Sequence, residues 1–320
     1  MTMTTRGPLI ALAIVLAGLA TAHAQYPART IRFIVPFAAG AANDTVARSI
    51  QPQLSSALGQ QVIIDNRPGA AGNLGAAVAA KAPADGYTVL MGNSSHAISM
   101  TLYTRPGFDL ARDFVPVTLL AAGSFMVAAH PSLPAKSVKE LVAFARRRPG
   151  EINVATAGAT QRMAAKLLES MTGIQTLEVT YKGTPQIITA VISGEASVGF
   201  ASTSAAMPHV RAGKLRALAV TTPRRSSMAP DIPTIAESGV PGYDATTWYG
   251  LVAPAGTPKE IIARLHGAAV SSLADPAVKE RFAATDLEPH SSTPEEFAAY
   301  IKSEIAKWGK VIRTAGIKPE

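Results

Sequence analysis

The chain has 320 residues, no cysteine and a formal net charge of +8 at pH 7. Without cysteine it cannot be a disulfide scaffold, so its stability must come from hydrophobic cores, for which 48% hydrophobic residues are ample. The basic residues are scattered, and the longest run, Arg146-Arg147-Arg148, lies at a predicted helix end without interleaved aromatic residues. Nucleic acid is therefore not expected as a partner.

Residues 1–24 have the layout of a secretory signal peptide. Arg6 precedes an apolar run from Leu9 to Ala20, which is too short for a membrane span, and a small-residue site, Ala22-His23-Ala24, follows. We expect export and cleavage after Ala24, without a lipid anchor because no cysteine follows that site. The roughly 296 remaining residues are more than one compact core usually takes, which predicts two domains.

Short β-rich runs alternate with helical patterns along the rest of the chain. This alternation indicates βαβ units and mainly parallel sheets. The predicted strands are Ile31–Pro36, Val62–Asp65, Thr88–Gly92, Val115–Leu120, Phe125–Ala129, Asn153–Ala155, Leu177–Thr180, Ser197–Phe200, Leu215–Val220 and Trp248–Val252.

Three helix starts carry a hydroxyl three residues before a glutamate, the pattern of a capping box. They are Ser137 with Glu140, Thr257 with Glu260, and Thr293 with Glu296. The last one opens a helix with a single apolar face, formed by Phe297, Ile301, Ile305, Trp308 and Ile312.

The stretch "FIVPFAAGAANDTVARSI", residues 33–50, predicts a strand, a loop of small residues and a helix opened by Asn43 and Asp44. Such a loop exposes backbone N–H groups at a helix N-terminus, where an anion is favoured. The alternative is that Asn43 caps the helix, Asp44 complements its dipole and nothing binds. The stretch lacks the residues of a Walker loop or a dinucleotide fingerprint.

Two further loops have related features. In "MGNSSHAIS", Asn93, Ser94 and Ser95 follow a strand and can hydrogen-bond a carboxylate, although an ordinary polar turn explains them equally well. "EINVATAGATQRMAAKLLESM" repeats the order strand, small-residue loop, helix, with Met163, Leu167 and Met171 as its buried stripe. One such unit in each half predicts two lobes with an anion held in the cleft between them.

Patterns that would indicate catalysis are missing from the sequence. It has no Gly-x-Ser-x-Gly elbow, no His-Glu-x-x-His motif and no cysteine nucleophile, and its histidines occur singly. We therefore expect a binding protein, with no catalytic residue, no metal site and no cofactor.

Many motifs resemble one family, the Bug-type substrate-binding proteins of tripartite tricarboxylate transporters. They include "YPARTIRFIVPFAAGAANDTVAR", "VIIDNRPGAAGNLGA", "APADGYTVLMGNSSHAIS", "VTYKGT", "PDIPTIAESGVPGYDATTWYGLVAPAGTP" and "STPEEFAAYIKSEIAKWGKVI". The resemblance covers essentially the whole mature chain. It implies a periplasmic, two-lobed α/β binding protein of type II, with mostly parallel sheets. Such a protein closes on a small organic carboxylate as a monomer and delivers it to membrane subunits of a transporter.

The resemblance also implies ligand-binding positions in both lobes. Carried onto this sequence, they are Phe37, Ala38, Ala39, Gly40, Asn43, Asp44, Asn93, Ser94, Ser95 and His96 in one lobe, and Ala157, Gly158, Thr160, Arg162, Phe200 and Ala201 in the other. Lys182 and the pair Trp248-Tyr249 have either a cleft or a structural role.

The chain departs from the family pattern at two loops. Ala39, Ala41 and Ala42 replace the usual Pro and Gly residues, and Arg162 takes the place of a histidine. A guanidinium there would hold a distal carboxylate through two hydrogen bonds, unless Arg162 points to solvent.

We expect one lobe from residues 25–125 with 250–320 and the other from residues 126–249. Two alternatives to transport remain open at this point: a ligand-sensing module for a membrane signalling receptor, and a periplasmic hydrolase on the same fold. The missing nucleophile and base count against the hydrolase.

Overall fold

The computed structural model describes residues 26–320. The predicted signal peptide, residues 1–24, and its cleavage site lie outside the described residues. Within residues 26–320, no helix combines the length and the apolar character needed to cross a membrane.

Residues 26–320 form strands and helices that alternate for most of the chain. The strands are β1 (Ile31–Val35), β2 (Val62–Asn66), β3 (Thr88–Asn93), β4 (Phe114–Gly123), β5 (Phe125–Ala129), β6 (Asn153–Ala157), β7 (Leu177–Tyr181), β8 (Val198–Ser202), β9 (Arg216–Val220), β10 (Thr247–Pro254) and β11 (Leu287–Pro289). The α-helices are α1 (Ala42–Leu58), α2 (Asn73–Ala80), α3 (Ser94–Leu102), α4 (Val138–Arg147), α5 (Gly158–Thr172), α6 (Thr184–Ser193), α7 (Thr203–Arg211), α8 (Lys259–Ala274), α9 (Pro276–Ala283) and α10 (Pro294–Thr314). A 3₁₀ turn, Ala70–Gly72, precedes α2.

Two sheets form the centres of two lobes. The six-stranded sheet has the order β11-β4-β10-β3-β1-β2, with β1 parallel to β2 and β3. The five-stranded sheet has the order β7-β6-β8-β5-β9, with β6 parallel to β7 and β8. Strands β4, β5 and β10, which lie where the chain crosses between the sheets, add antiparallel pairs. The mixed α/β architecture is the expected one, but the prediction of mostly parallel sheets is wrong: of the described strand pairs, four are parallel and five, including β11 with β4, are antiparallel. The antiparallel pairs arise where the chain crosses between the sheets.

Each predicted strand has a counterpart in the structure, with ends shifted by a few residues. Strand β11 was not predicted, because it has only 3 residues and ends in a proline, so no alternating pattern marks it.

The helix caps agree with the sequence at two of three places. Ser137 accepts a hydrogen bond from the Glu140 N–H, and Thr293 and Glu296 form a complete capping box. The prediction for Thr257 is wrong: its hydroxyl donates to the Pro254 carbonyl at 2.7 Å instead, and α8 begins later, at Lys259.

The apolar face of α10 is buried at Phe297, Ile301, Trp308 and Ile312, and the helix packs against α3 and also contacts α5 of the other lobe. On α5 itself, Met163 and Leu167 are buried as expected. Met171 is 40% exposed, so its assignment to the buried stripe is wrong. It lies in the last turn of α5, where the helix ends at Gly173.

The chain passes between the lobes by short and long connections. Ser124 alone separates β4 of one sheet from β5 of the other, and residues 221–246 lead back from β9 to β10. Because a single residue makes the first crossing, Ser124 lies where the lobes join.

Candidate functional site

A cavity of about 620 Å³ lies between the lobes and is lined by residues of both. It is found where β1, β3, β6, β7 and β8 lead into α1, α3, α5, α6 and α7, and the first residues of all these helices line it. The first N–H groups of a helix have no acceptor within the helix and carry the positive end of its dipole. The cavity therefore gathers several places that favour a negative charge.

The loop between β1 and α1 is held from inside by Asp44, which is 2% exposed. Its carboxylate accepts hydrogen bonds from the Gly40 N–H at 2.9 Å, from Arg48 Nε at 2.8 Å and from Asn66 Nδ2 at 2.9 Å. Desolvation by burial would raise the pKa of Asp44, but the hydrogen bonds from Arg48, Gly40 and Asn66 outweigh it and hold that pKa below its usual value. Asp44 shapes the loop and does not line the cavity.

The alternative in which Asn43 caps α1 is wrong. The N-cap is Ala41, without a side-chain hydrogen bond. The Asn43 Oδ1 accepts a hydrogen bond from Asn93 Nδ2 at 2.8 Å, which joins the starts of α1 and α3. Asn93 is itself the N-cap of α3, because its Oδ1 accepts from the Ser95 N–H at 2.9 Å. These side chains fix the two helix starts beside the cavity.

Ser94 and Ser95 line the cavity, but both hydroxyls already have partners in the protein. Ser94 Oγ accepts from the Trp248 N–H at 2.8 Å, and the single Ser95 hydroxyl proton lies between two acceptors, Asn93 Oδ1 and the Ala71 carbonyl. A ligand would therefore meet groups that are already organised.

His96 is fully buried behind this wall and does not line the cavity. Its Nε2 lies 3.3 Å from the Gly72 carbonyl, which can only accept, so the ring proton is on Nε2. Burial lowers the pKa of His96 to about 4, so the ring is neutral at neutral pH. Together with Ser95, it supports the 3₁₀ turn, in which Ala70 and Ala71 have positive φ. His96 thus helps to hold the 3₁₀ turn, through which Ala71 lines the cavity.

The second lobe contributes Ala157, Gly158, Ala159 and Thr160 at the start of α5. Gly158 has a φ of +64°, a conformation that favours glycine, and no atom occupies the place of a Cβ. Gln161 Nε2 donates to Thr184 Oγ1 at 3.2 Å, which ties the starts of α5 and α6 together.

Arg162 lies outside the cavity lining. Its guanidinium pairs with Glu178 at 3.4 Å and with Glu320 at 3.7 Å, because it follows the first turn of α5 and points away from the cleft. The pairing with Glu320 joins it to the other lobe, since residue 320 is hydrogen-bonded to Leu102 and Thr104. The structure gives Arg162 carboxylate partners within the protein, in place of the ligand carboxylate expected from the sequence.

Four other predicted positions also lie outside the lining. Ala38 and Ala39 are exposed at the loop. Phe200 and Ala201 are buried within β8 and pair with Val127 and Met126 of β5. Since β8 continues to Ser202, the cavity wall begins there and at Thr203. The predicted residues that do line the cavity are Phe37, Gly40, Asn43, Asn93, Ser94, Ser95, Ala157, Gly158 and Thr160.

Sequence reasoning missed several lining residues: Ser124, Thr184, Pro185, Thr203, Ser204, Thr247, Thr285 and Asp286. Thr184-Pro185 had a usable signal, since proline is favoured in the first turn of a helix. For Trp248 and Tyr249 the sequence left a cleft role and a structural role open. Tyr249 lines this cavity, whereas Trp248 is 1% exposed and donates from Nε1 to Glu304. Lys182 is not among the lining residues.

The lining combines apolar surface with hydroxyl, amide and backbone groups and has almost no charged side chains. Among the described residues that form it, none is lysine, arginine or histidine, and the one carboxylate is Asp286. Within residues 26–320, no cluster of three or more histidine, aspartate or glutamate side chains has a geometry that could hold a metal ion. Backbone N–H groups and hydroxyls are thus what the cavity offers an anion.

A second cavity, of about 520 Å³, adjoins the first and shares Gly123, Ser124 and Asp286 with it. Its other lining residues include Trp248, Arg224 and His290. It lacks the convergence of helix N-termini, so the cleft is the better candidate site.

Comparisons with known proteins agree with the fold. A family model described as "Tripartite tricarboxylate transporter family receptor" matches residues 46–317. Protein BugT of Bordetella pertussis is 34% identical over 324 aligned residues, which cover 99% of each chain.

Two solved structures carry carboxylate ligands in their names. R. palustris Rpa4515 with adipate has 36% identity and a TM-score of 0.79, covering 92% of this chain and 100% of that chain. MatC from Rhodopseudomonas palustris with bound malate has 30% identity and a TM-score of 0.75, covering 90% of this chain and 100% of that one. The predicted two-lobed periplasmic binding protein fold is confirmed by these matches.

Proposed function

Because the chain belongs to the family of tripartite tricarboxylate transporter receptors, we propose that it captures a small organic carboxylate in the periplasm and delivers it to the membrane subunits of such a transporter. The family consists of substrate-binding proteins and not of enzymes, so capture and release are the whole function.

One observation carries the proposal: the starts of α1, α3, α5, α6 and α7 converge on one cavity that has no cationic side chain in its lining. A neutral ligand gains only ordinary hydrogen bonds from these N–H groups, whereas a carboxylate is stabilised in addition by the positive ends of the helix dipoles. The side chains of Asp44, Asn93 and Gln161 already hold these helix starts in place, so little order must be created on binding.

In this proposal, the two lobes take the ligand from opposite sides. The first lobe offers the loop from Phe37 to Asn43 and the start of α3 at Ser94 and Ser95. The second offers Gly158 to Thr160 and Thr184. Names of relatives solved with adipate and malate make dicarboxylates the first ligands to test.

Closure would follow from the two connections between the lobes. The two predicted lobes, residues 25–125 with 250–320 and residues 126–249, would move as two bodies about Ser124 and the return segment. Their boundaries would fall at Ser124 and before Thr247, because Phe125 belongs to β5 and Thr247 to β10. The cavity is complete within one chain, so a monomer suffices for capture.

The experiment is a thermal-shift panel on the mature protein with adipate, malate, citrate and the neutral diamide adipamide at one concentration. A ligand at 100 times its Kd stabilises the folded state by about 2.7 kcal/mol, which raises Tm by several degrees. We expect a shift with at least one carboxylate and none with adipamide. A shift with adipamide equal to that with adipate would refute the anion proposal.

A matched pair of variants ties the shift to the cleft. Ala42→Asp adds a negative charge at the start of α1, where an aspartate favours the helix but repels a ligand anion. Ala111→Asp makes the same change at an exposed position outside the lining. We expect at least tenfold weaker binding in the first variant and no change in the second. Delivery is tested separately, by uptake into vesicles that contain the membrane subunits.

A further inference from the structure

We propose that Asp286 sets the charge selectivity of the cleft: it excludes a ligand carboxylate from the end formed by Ser124 and Thr203, and favours a hydrogen-bond donor there, such as a hydroxyl or an ammonium group. This inference rests on the proposed function, since it presupposes that the cleft holds a carboxylate at its other helix starts.

Asp286 is 7% exposed and contributes to the wall of the cleft. Its Oδ2 accepts a hydrogen bond from Ser124 Oγ at 2.7 Å, and its Oδ1 accepts one from Ser226 Oγ. Both donors are neutral hydroxyls. Among the ion pairs of residues 26–320, none includes Asp286. No cation of the described residues therefore lies within ion-pair distance of Asp286, although Arg224 and His290 line the second cavity with it.

The carboxylate retains capacity to accept from a ligand. An ionised carboxylate offers about four lone-pair positions, and the two hydroxyls use two of them. A ligand hydroxyl or ammonium group can supply a further donor, whereas a ligand carboxylate cannot.

Because of the position of Asp286, the start of α7 is not available to a ligand carboxylate. Ser124 Oγ, which donates to Asp286, lies 2.6 Å from Thr203 Oγ1, the first residue of α7. The Asp286 carboxylate thus lies near the N-terminus of α7 and already complements the positive end of its dipole. The starts of α1, α3, α5 and α6 remain for the ligand carboxylate. One end of the cleft therefore binds an anionic group of the ligand, and the other end, at Asp286, accepts a hydrogen bond from a donor group of the ligand.

The backbone keeps Asp286 in place. Its φ of +56° is a conformation that asparagine also tolerates and glycine adopts without strain. Asp286→Asn and Asp286→Gly therefore both remove the charge at this position without opposing the backbone.

The test is calorimetric titration of the wild type and of Asp286→Asn with probes of equal length: adipate, 6-hydroxyhexanoate and 6-aminohexanoate, with the C4 series of succinate, 4-hydroxybutyrate and 4-aminobutyrate beside it. Two like charges in a partly buried cleft repel by enough to change affinity on the order of tenfold to a hundredfold. We expect the substitution to tighten dicarboxylate binding at least tenfold relative to the hydroxy acid, and to weaken binding of the amino acid.

Glu288→Gln is the control, because it removes one negative charge from an exposed side chain two residues away that lines the second cavity and not the cleft. It should leave the ratio of affinities unchanged. Asp286→Gly, checked for folding by circular dichroism, repeats the test should the asparagine variant be unstable. If carboxylates bind but the ratio of dicarboxylate to hydroxy-acid affinity stays within twofold, Asp286 has no such role and the proposed function stands. If no carboxylate binds the wild type, both proposals fall.

Discussion

At the scale of single residues, two buried carboxylates organise the cleft from within the protein. Asp44 ties the Gly40 N–H and the Asn66 side chain at the β1–α1 loop, and Asp286 ties the hydroxyls of Ser124 and Ser226 where the lobes join. Each one occupies donors that a ligand anion would otherwise take. The remaining N–H groups at the helix starts are then left for the ligand.

Replacing Asp44 by asparagine should destabilise the protein and change its response to acid. The lowered pKa of Asp44 means that its stabilisation is fully present above the ordinary aspartate pKa of 3.8 and is lost as the pH falls through the lower pKa of the folded state. We expect Asp44→Asn to lower the free energy of unfolding by about 1–2 kcal/mol at pH 7. On acidification, the free energy of unfolding should decrease less in the variant than in the wild type. Urea unfolding between pH 3 and pH 7 measures both.

Glu151→Gln is the matched control for Asp44, since the Glu151 side chain is 60% exposed and its pair with Arg148 lies at the surface. It should leave the acid dependence nearly unchanged. The same acid slope in wild type and Asp44→Asn would show that the hydrogen bonds to Asp44 do not stabilise its charged form.

Arg162→Gln should leave the choice between dicarboxylates and monocarboxylates unchanged. The guanidinium pairs with Glu178 and Glu320 outside the cavity lining, and its removal costs about 1–2 kcal/mol of stability because the largely buried Glu178 keeps, among the described residues, only Lys166 as a cationic partner. Titration of adipate and hexanoate against wild type and variant checks this. A selective loss of adipate binding would show that Arg162 turns into the cleft when ligand is present.

At the scale of elements, strands and helices that lead into the cleft have strong local signals. Ser137 and Thr293 capped their helices as predicted because the hydroxyl and the glutamate of a capping box satisfy each other locally. Thr257 has the same spacing, yet its hydroxyl meets the Pro254 carbonyl, a contact that depends on the turn following β10. Local spacing predicts a cap only where no nearby acceptor competes.

The packing of α10 on β10 depends on the absence of a side chain at Gly250. A Cβ at Gly250 would overlap the ring of Phe297, which is fully buried beside Trp248. We expect Gly250→Ala to destabilise the protein by about 1–3 kcal/mol, because overpacking forces buried rings to shift. Chemical denaturation measures the change.

Gly267→Ala is the control, since Gly267 lies within α8 and a Cβ there meets no atom within 4 Å. Alanine in a helix should leave stability unchanged or raise it by up to about 1 kcal/mol. Equal effects of the two substitutions would contradict the assigned packing of Phe297.

At the scale of the whole molecule, the sequence predicted the architecture better than the cavity wall. Alternating strands and helices predict which helix starts meet at one edge, so Asn43, Ser94 and Gly158 could be found. Asp286 could not be found, because its place in the cavity wall depends on β11, which follows it directly. The pairing of this three-residue strand with β4 has no local signal in the sequence. The sequence left the orientation of Arg162 open, because its pairs with Glu178 and Glu320 depend on tertiary packing.

The central claim, that a carboxylate is held by converging helix starts, is tested most directly by ¹⁵N–¹H NMR of the mature protein during titration with the best carboxylate from the thermal-shift panel. We predict that the largest shifts in amide resonances occur at Ala42, Asn43, Ser95, Gly158, Ala159 and Thr184. Shifts confined to the second cavity, reported by the Trp248 indole and the amides of Arg224 and His290, would contradict the claim.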